Sequence, residues 1–295
     1  MRGAFSGSPA CVSKAGGEAM KKITIEDKRN GILGEALPDY GGMLTRLRYH
    51  GKEIIFFDEA VLHQSNILAG GCPVLFPFPS RTAGDSYRLG EKTYSMPFHG
   101  LVKSAQFGVQ ETAENSVTLY ITNHEASMRE NFPFDFRLEL TYKVEGNTTY
   151  FITTVRNRSN EPMPHYFGWH HYFTASDKSR FTLEANMKRY INYIDGAEYL
   201  NDGAPDLTQP GDYVFYEKKP GGTQIVNSAD GYRAVLETDD SYEALVVCTL
   251  FEGRITAEPW LGVPDSINRQ KYVKWVPPHE SRQYCLAVRL YDIEG

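Results

Sequence analysis

The sequence predicts an all-β fold, a sandwich or barrel built from many short strands. Three observations carry this. Apolar residues recur in short alternating or continuous runs, and signals for helix are scarce. Gly, Asn, Asp or Pro cuts these runs about every eight to fifteen residues, as turns between strands would. Tyr and Phe, which suit a pleated surface, number 19 and 16 in a chain of 295 residues.

The elements follow in order. Strand patterns at residues 22–26, 43–49 and 52–57 open the fold. A second group lies at residues 117–122, 137–144 and 149–157, where Ile152-Thr153-Thr154-Val155 is rich in β-branched side chains. The segment Val144-Glu145-Gly146-Asn147-Thr148 joins two of these runs as a hairpin turn would. Residues 201–212 are the loosest stretch and are expected to form a long surface loop. Strands at 233–238, 244–250 and 283–291 complete the pattern. No Pro-, Ser- or charge-rich linker interrupts residues 20–295, so they are expected to form a single domain. Residues 1–19 are rich in Gly, Ser and Ala and lack the apolar centre of a secretory signal. Met20-Lys21-Lys22-Ile23 looks like a natural start, so 1–19 are read as a disordered leader or a mis-assigned start.

Composition narrows the function. The net charge is −6, from 31 basic and 37 acidic residues, and no run of Lys or Arg occurs, which argues against a nucleic-acid surface. No apolar stretch is long enough to span a bilayer as a helix, so no membrane is expected. Cys11, Cys72, Cys248 and Cys285 are scattered, with no CxxC pair. That argues against a structural zinc or a disulfide framework and suits a reducing cytoplasm. A cytoplasmic monomer or homodimer is the expectation.

Four stretches place polar chemistry among apolar and aromatic residues: Pro79-Ser80-Arg81, Pro97-Phe98-His99-Gly100, Gly168-Trp169-His170-His171-Tyr172-Phe173 and Ala257-Glu258-Pro259-Trp260. Imidazole suits proton transfer near neutral pH. A carboxylate among apolar neighbours can be raised into the range of a general base. Pro259 restricts Glu258 to an extended backbone. Glu258 therefore reads as a general base or, equally, as a solvated rim carboxylate. His99 reads as a catalyst or as a satisfied core histidine. His170 and His171 are adjacent, so on a strand they face opposite sides and could not share a metal. Arg81 offers a fork of donors to hydroxyls, a carboxylate or a phosphate. Trp260 and Trp169 are the candidate stacking faces for a sugar. No GxSxG, persuasive nucleophile or dinucleotide loop is present. No cofactor and no metal are expected.

Taken in order, these landmarks resemble the aldose 1-epimerase (galactose mutarotase) family and its hexose-phosphate mutarotase relatives. The matching stretches are Gly41-Gly42, Gly51-Lys52-Glu53-Ile54-Ile55, Gly70-Gly71-Cys72-Pro73-Val74-Leu75-Phe76-Pro77 to Arg81, Phe98-His99-Gly100-Leu101-Val102, His170-His171-Tyr172-Phe173 and Glu258-Pro259-Trp260. They span roughly residues 22–291. The resemblance implies a large antiparallel β-sandwich, the galactose mutarotase-like supersandwich. It also implies a cofactor-free isomerase that interconverts α and β anomers of a small-molecule sugar. Glu258 would be the base and His170 the acid, with His99 and Arg81 holding the sugar and His99 steadying charge on its oxygens. His171 stands where relatives often carry Pro. Asp195, Asp202 and Asp206 lie where many galactose mutarotases carry a sugar-binding aspartate. A sugar-phosphate substrate would need a further cation beside Arg81, from among Arg46, Arg88, Lys103 and Arg269. A non-catalytic carbohydrate-binding or sugar-sensing domain could share the fold but would not need the acid–base set. A hydrolase would ordinarily want two carboxylates, and only Glu258 has a clear motif.

Overall fold

The structure, a computed structural model, describes residues 20–62, 69–123, 126–203 and 205–293. The expected leader at 1–19, with Cys11, lies outside them.

Two large antiparallel sheets dominate. The first has eight strands, ordered Phe181–Glu184, Thr223–Asn227, Tyr232–Thr238, Ser281–Asp292, Thr148–Asn157, Phe136–Glu145, Ser116–Thr122 and Gly108–Thr112. Its centre is the expected hairpin: Phe136–Glu145 pairs Thr148–Asn157 over its whole length, closing at Glu145 opposite Thr148. The second sheet runs Ala197–Leu200, Met187–Asn192, Asp212–Lys218, Ala244–Cys248, Arg254–Trp260, Gly168–Trp169 and Val74–Leu75, and His171–Thr174 also pairs Arg254–Trp260. A smaller four-stranded sheet, Ile23–Asp27 to Lys52–Glu53, packs its first two strands near Ser116–Thr122 and Phe136–Glu145 of the first sheet. The only α-helices among the described residues are the short Ala126–Asn131 and Ser266–Arg269.

Period-two burial explains the layering. In Phe136–Glu145 the residues Phe136, Leu138, Leu140, Tyr142 and Val144 are buried and alternate with half-exposed neighbours. They meet side chains from the second sheet. Phe151 lies 5.2 Å from the Trp169 ring and 4.7 Å from His171, both edge-on. Tyr142 lies 6.0 Å from Trp169 and donates to the Gly42 carbonyl. A core of this kind is worth about 3–5 kcal/mol for each large aromatic truncated to Ala.

The structure corrects several expectations. The run at 52–57 yields only the two-residue strand Lys52–Glu53, after which Ile54, Ile55 and Phe57 make isolated contacts with other strands or pack as loop. Residues 201–211 do form a loop where described, but Asp212 opens the strand Asp212–Lys218. Arg254–Trp260 is a full strand, so Pro259 sits inside a sheet, opposite Leu245. Cys72 and Cys248 are buried free thiols, and Cys285 is half-buried.

Candidate active site

One face of the second sheet packs on the core, and the other is concave and open. Alternation assigns the side chains. On Arg254–Trp260, Ile255 and Ala257 join the core, while Glu258 and Trp260 face the cleft. Cross-strand pairing places Glu258 opposite Val246, and Val246 opposite Val214, so the carboxyl rises from an apolar floor. Trp260 pairs with Gly168. Its indole lies across that glycine so closely that a Cβ there would sit 2.1 Å from Trp260 Cδ1. Gly168 is therefore what lets the ring lie flat along the cleft wall.

The same alternation sorts the histidine stretch. His170 faces the cleft and stacks on Tyr172 at 4.5 Å, and its backbone N–H is held by the Pro73 carbonyl. His171 points into the core, fully buried against Phe151 and Phe173. Trp169 shares that core side and is fully buried. The expectation of a sugar-stacking Trp169 is thus corrected: one residue from His170 on an extended chain, it must face away from the cleft.

His99 enters from a separate loop. Its ring stands edge-on to His170 at 5.5 Å and to Trp260 at 6.4 Å. Both His99 and Ser80 adopt left-handed backbone conformations, φ 65° and 62°. The next residue, Gly100, has φ 77°, and a Cβ there would lie 2.3 Å from the Phe76 carbonyl oxygen. Such backbone outliers are costly and persist where the surroundings over-determine them.

The central contact joins His170 Nε2 to Glu258 Oε1 at 3.2 Å, with both side chains nearly closed to solvent. Burial pushes the Glu258 carboxyl well above the usual carboxylate range; the hydrogen-bonding side chain of Thr256 opposes this and the nearby Asp212 adds to it. Burial, followed by neighbouring His171, pushes His170 down to about 3. Both shifts favour uncharged groups. The two facing atoms lie within ion-pair reach of each other, in surroundings that disfavour charge on either group. Glu258 Oε2 and His170 Nδ1 are buried without a well-formed hydrogen bond.

The cleft, of about 250 Å³, thus brings together His99, His170, Glu258 and Trp260. Arg81 is not among its lining residues. It is exposed, ion-paired with Asp85 at 2.9 Å, and lies 5.0 Å over the ring of Phe98, which does line the cleft. Lys103 lies 5.3 Å from the same ring and donates to the Phe98 carbonyl at 2.6 Å. Arg46 is far from this cluster, held by Glu35 and Glu53 over a separate hollow of about 390 Å³. That hollow is larger, but no imidazole lines it.

Asp212 is the residue that sequence reasoning missed. It lines the cleft from the start of Asp212–Lys218, with its carboxyl raised by burial. Asp195, Asp202 and Asp206 do not line it. Asp195 caps its own turn through Ala197 N and Tyr199 Oη, and Asp206 through Thr208. The available signal was the alternation of Asp212-Tyr213-Val214-Phe215-Tyr216, with Asp212 in register with Val214. No group of three or more His, Cys, Asp or Glu suited to hold a metal occurs among the described residues. None of their helices is long and apolar enough to cross a membrane.

An aromatic-walled cleft with a buried carboxyl–imidazole pair is the arrangement that acid–base work on a small polar ligand requires. The chain belongs to the aldose 1-epimerase family, whose profile matches residues 21–288. Among curated proteins, the plasmid-encoded protein LacX of Lactococcus lactis subsp. lactis is 32% identical over 160 residues, a stretch that spans 52% of this chain and 51% of LacX. Among solved structures, Slr1438 from Synechocystis sp. PCC 6803 superposes with a TM-score of 0.88 at 24% identity, covering 94% of this chain and 97% of that one. A galactose 1-epimerase from Lactobacillus acidophilus NCFM gives 0.72 at 13% identity, covering 96% and 98%. These likenesses make the fold galactose mutarotase-like, the expected supersandwich.

Proposed function

We propose that the protein interconverts the α and β anomers of an aldose by acid–base opening and closing of the sugar ring. The observation that carries this is the buried contact between His170 Nε2 and Glu258 Oε1 at 3.2 Å. Ring opening needs one proton taken from the C1 hydroxyl and one given to the ring oxygen. A pair holding one proton can do both. With the proton on His170, the Glu258 carboxylate takes the C1 proton while His170 protonates the ring oxygen, and the C1–O5 bond breaks. The freed aldehyde turns about C1–C2, and the two groups act in reverse to close the ring on the other carbonyl face. Trp260 offers an apolar face to the sugar C–H bonds, and Asp212 an acceptor for its hydroxyls. The presence of all the proton-active groups in one cleft favours an enzyme over a binding or sensing domain.

The test is polarimetry on freshly dissolved aldoses, with spontaneous mutarotation subtracted. Acceleration of at least one sugar, saturable in that sugar, is expected. No acceleration of any sugar in a broad panel refutes the proposal.

A second reading, a sugar phosphate as substrate, is favoured by one observation. Arg81 and Lys103 converge on the Phe98 ring, 5.0 and 5.3 Å from its centre. Burial and then Arg81 push Lys103 down to about 8, the mark of a cation lacking a nearby anion. A phosphate at the cleft mouth would relieve that repulsion. If this reading holds, kcat/KM for a hexose 6-phosphate exceeds that for the parent hexose, and Lys103→Met removes the difference. Equal values for both sugars refute it.

A further inference from the structure

His99 and Ser80 clasp each other through two hydrogen bonds. The backbone N–H of His99 donates to the Ser80 carbonyl at 3.0 Å. The backbone N–H of Ser80 donates to His99 Nδ1 at 3.1 Å. Both residues hold left-handed φ values, 65° and 62°, which non-glycine residues seldom adopt. That double outlier is what turns the Ser80 amide toward the imidazole.

The consequence follows from which atoms can donate. A backbone N–H has only a proton to give, so Nδ1 must present its lone pair. A neutral imidazole with Nδ1 as acceptor carries its single proton on Nε2. We infer that Ser80 is a positioning residue whose backbone amide locks His99 as a neutral Nε2–H donor aimed into the cleft, so that His99 polarises a sugar oxygen and never shuttles a proton. The two cleft histidines then divide the work. His170, joined to Glu258, moves the proton. His99 supplies a fixed dipole where negative charge gathers on oxygen as the ring opens.

The surroundings keep His99 neutral. Its ring is almost fully buried, and burial lowers it well below the ordinary imidazole value. The charged or titratable groups that act on it, His170, Lys103 and Arg81, all push in the same direction. A neutral donor costs no charge to bury and needs no proton from solvent between turnovers.

The tautomer part of this inference stands by itself; only the catalytic part rests on the mutarotase reading. The test begins with the wild-type protein, ¹⁵N-labelled at histidine, in a long-range proton–nitrogen correlation spectrum. His99 is expected to show a protonated Nε2 and a bare Nδ1, unchanged across about pH 5–8. A protonated Nδ1, or titration of His99 within that range, overturns the inference. Variants then link the clasp to turnover. Ser80→Pro removes the donor and forbids the left-handed backbone. It is expected to scramble the His99 tautomer and lower kcat about 10²-fold, the scale of one lost preorganised donor, with KM changing far less. Ser80→Gly keeps the amide and the backbone angle, and is expected to keep the tautomer. A folded Ser80→Pro protein with wild-type tautomer, or with wild-type kcat, overturns the inference. If no sugar is anomerised at all, the mutarotase reading fails, while the spectrum still decides the clasp.

Discussion

Replacing Glu258 by Gln tests the carboxyl's role with the least change in shape. The side chain is 2% exposed, so almost no water can take over its task. The amide is nearly isosteric and can still bond to His170 Nε2 across the 3.2 Å contact. It cannot accept a proton. Loss of a positioned general base costs about 10²–10⁴-fold in rate, or roughly 3–5 kcal/mol on the barrier. Stability moves the other way. Glu258 is raised in the folded state, so between the ordinary carboxylate value of 4.5 and its folded value the native protein binds more protons than the unfolded chain. The wild type therefore loses stability as pH rises through that window, and the Gln variant does not. The variant should be at least as stable as wild type at neutral pH, with the advantage shrinking toward pH 4.5. Polarimetry or anomer-exchange NMR reads the rate, and thermal melting across pH reads the stability. A folded Gln variant with near wild-type turnover would refute the base assignment. A stability gap that does not grow with pH would refute the burial argument.

Further expectations follow from the same geometry. His170→Asn should lower kcat about 10²–10⁴-fold, whereas His171→Asn, on the core side, should act chiefly on the melting temperature; equal kinetic damage from both would contradict the strand register. His165, His170 and His171 are each held down to about 3 by burial, against an ordinary imidazole value of 6.5. Below 6.5 the unfolded chain takes up protons that the native chain refuses, so stability should fall with pH toward 3, by up to about 1.4 kcal/mol per pH unit for each histidine. Urea midpoints measured across that range check this, and His171→Asn should reduce the slope by about one proton. Gly168→Ala would set a methyl 2.1 Å from Trp260 Cδ1 and displace the indole, at a cost of about 1–3 kcal/mol and a raised KM; unchanged kinetics and melting would show that the ring is not held there. Trp169→Ala should cost about 3–5 kcal/mol in stability through the cavity it leaves, without the specific rise in KM expected of Trp260→Ala, as paired melting and kinetic measurements would reveal.

The sequence by itself determined the features that depend on neighbours along the chain. Strand alternation separated His170 from His171 before any contact was known, because successive residues on an extended chain face opposite ways. The same rule, applied one residue earlier, would have turned Trp169 away from the cleft. The hairpin at residues 144–148 was legible because its turn and both its flanks are contiguous, as was the extended backbone at Glu258 imposed by Pro259. The order of the glycine-rich and polar stretches carries the family resemblance. What only the tertiary structure decided is everything that depends on pairing between distant strands. Asp212 reaches the cleft because its strand lies two strands away from that of Glu258, with Ala244–Cys248 between them. Arg81 lies over the Phe98 ring, outside the cleft lining, because the separate loops that carry the two residues meet there. The approach of His170 to Glu258 and the hydrogen bond from the Ser80 amide to His99 arise from contacts between segments apart in the chain. No local pattern encodes them, since their distances are set by how two sheets twist and pack.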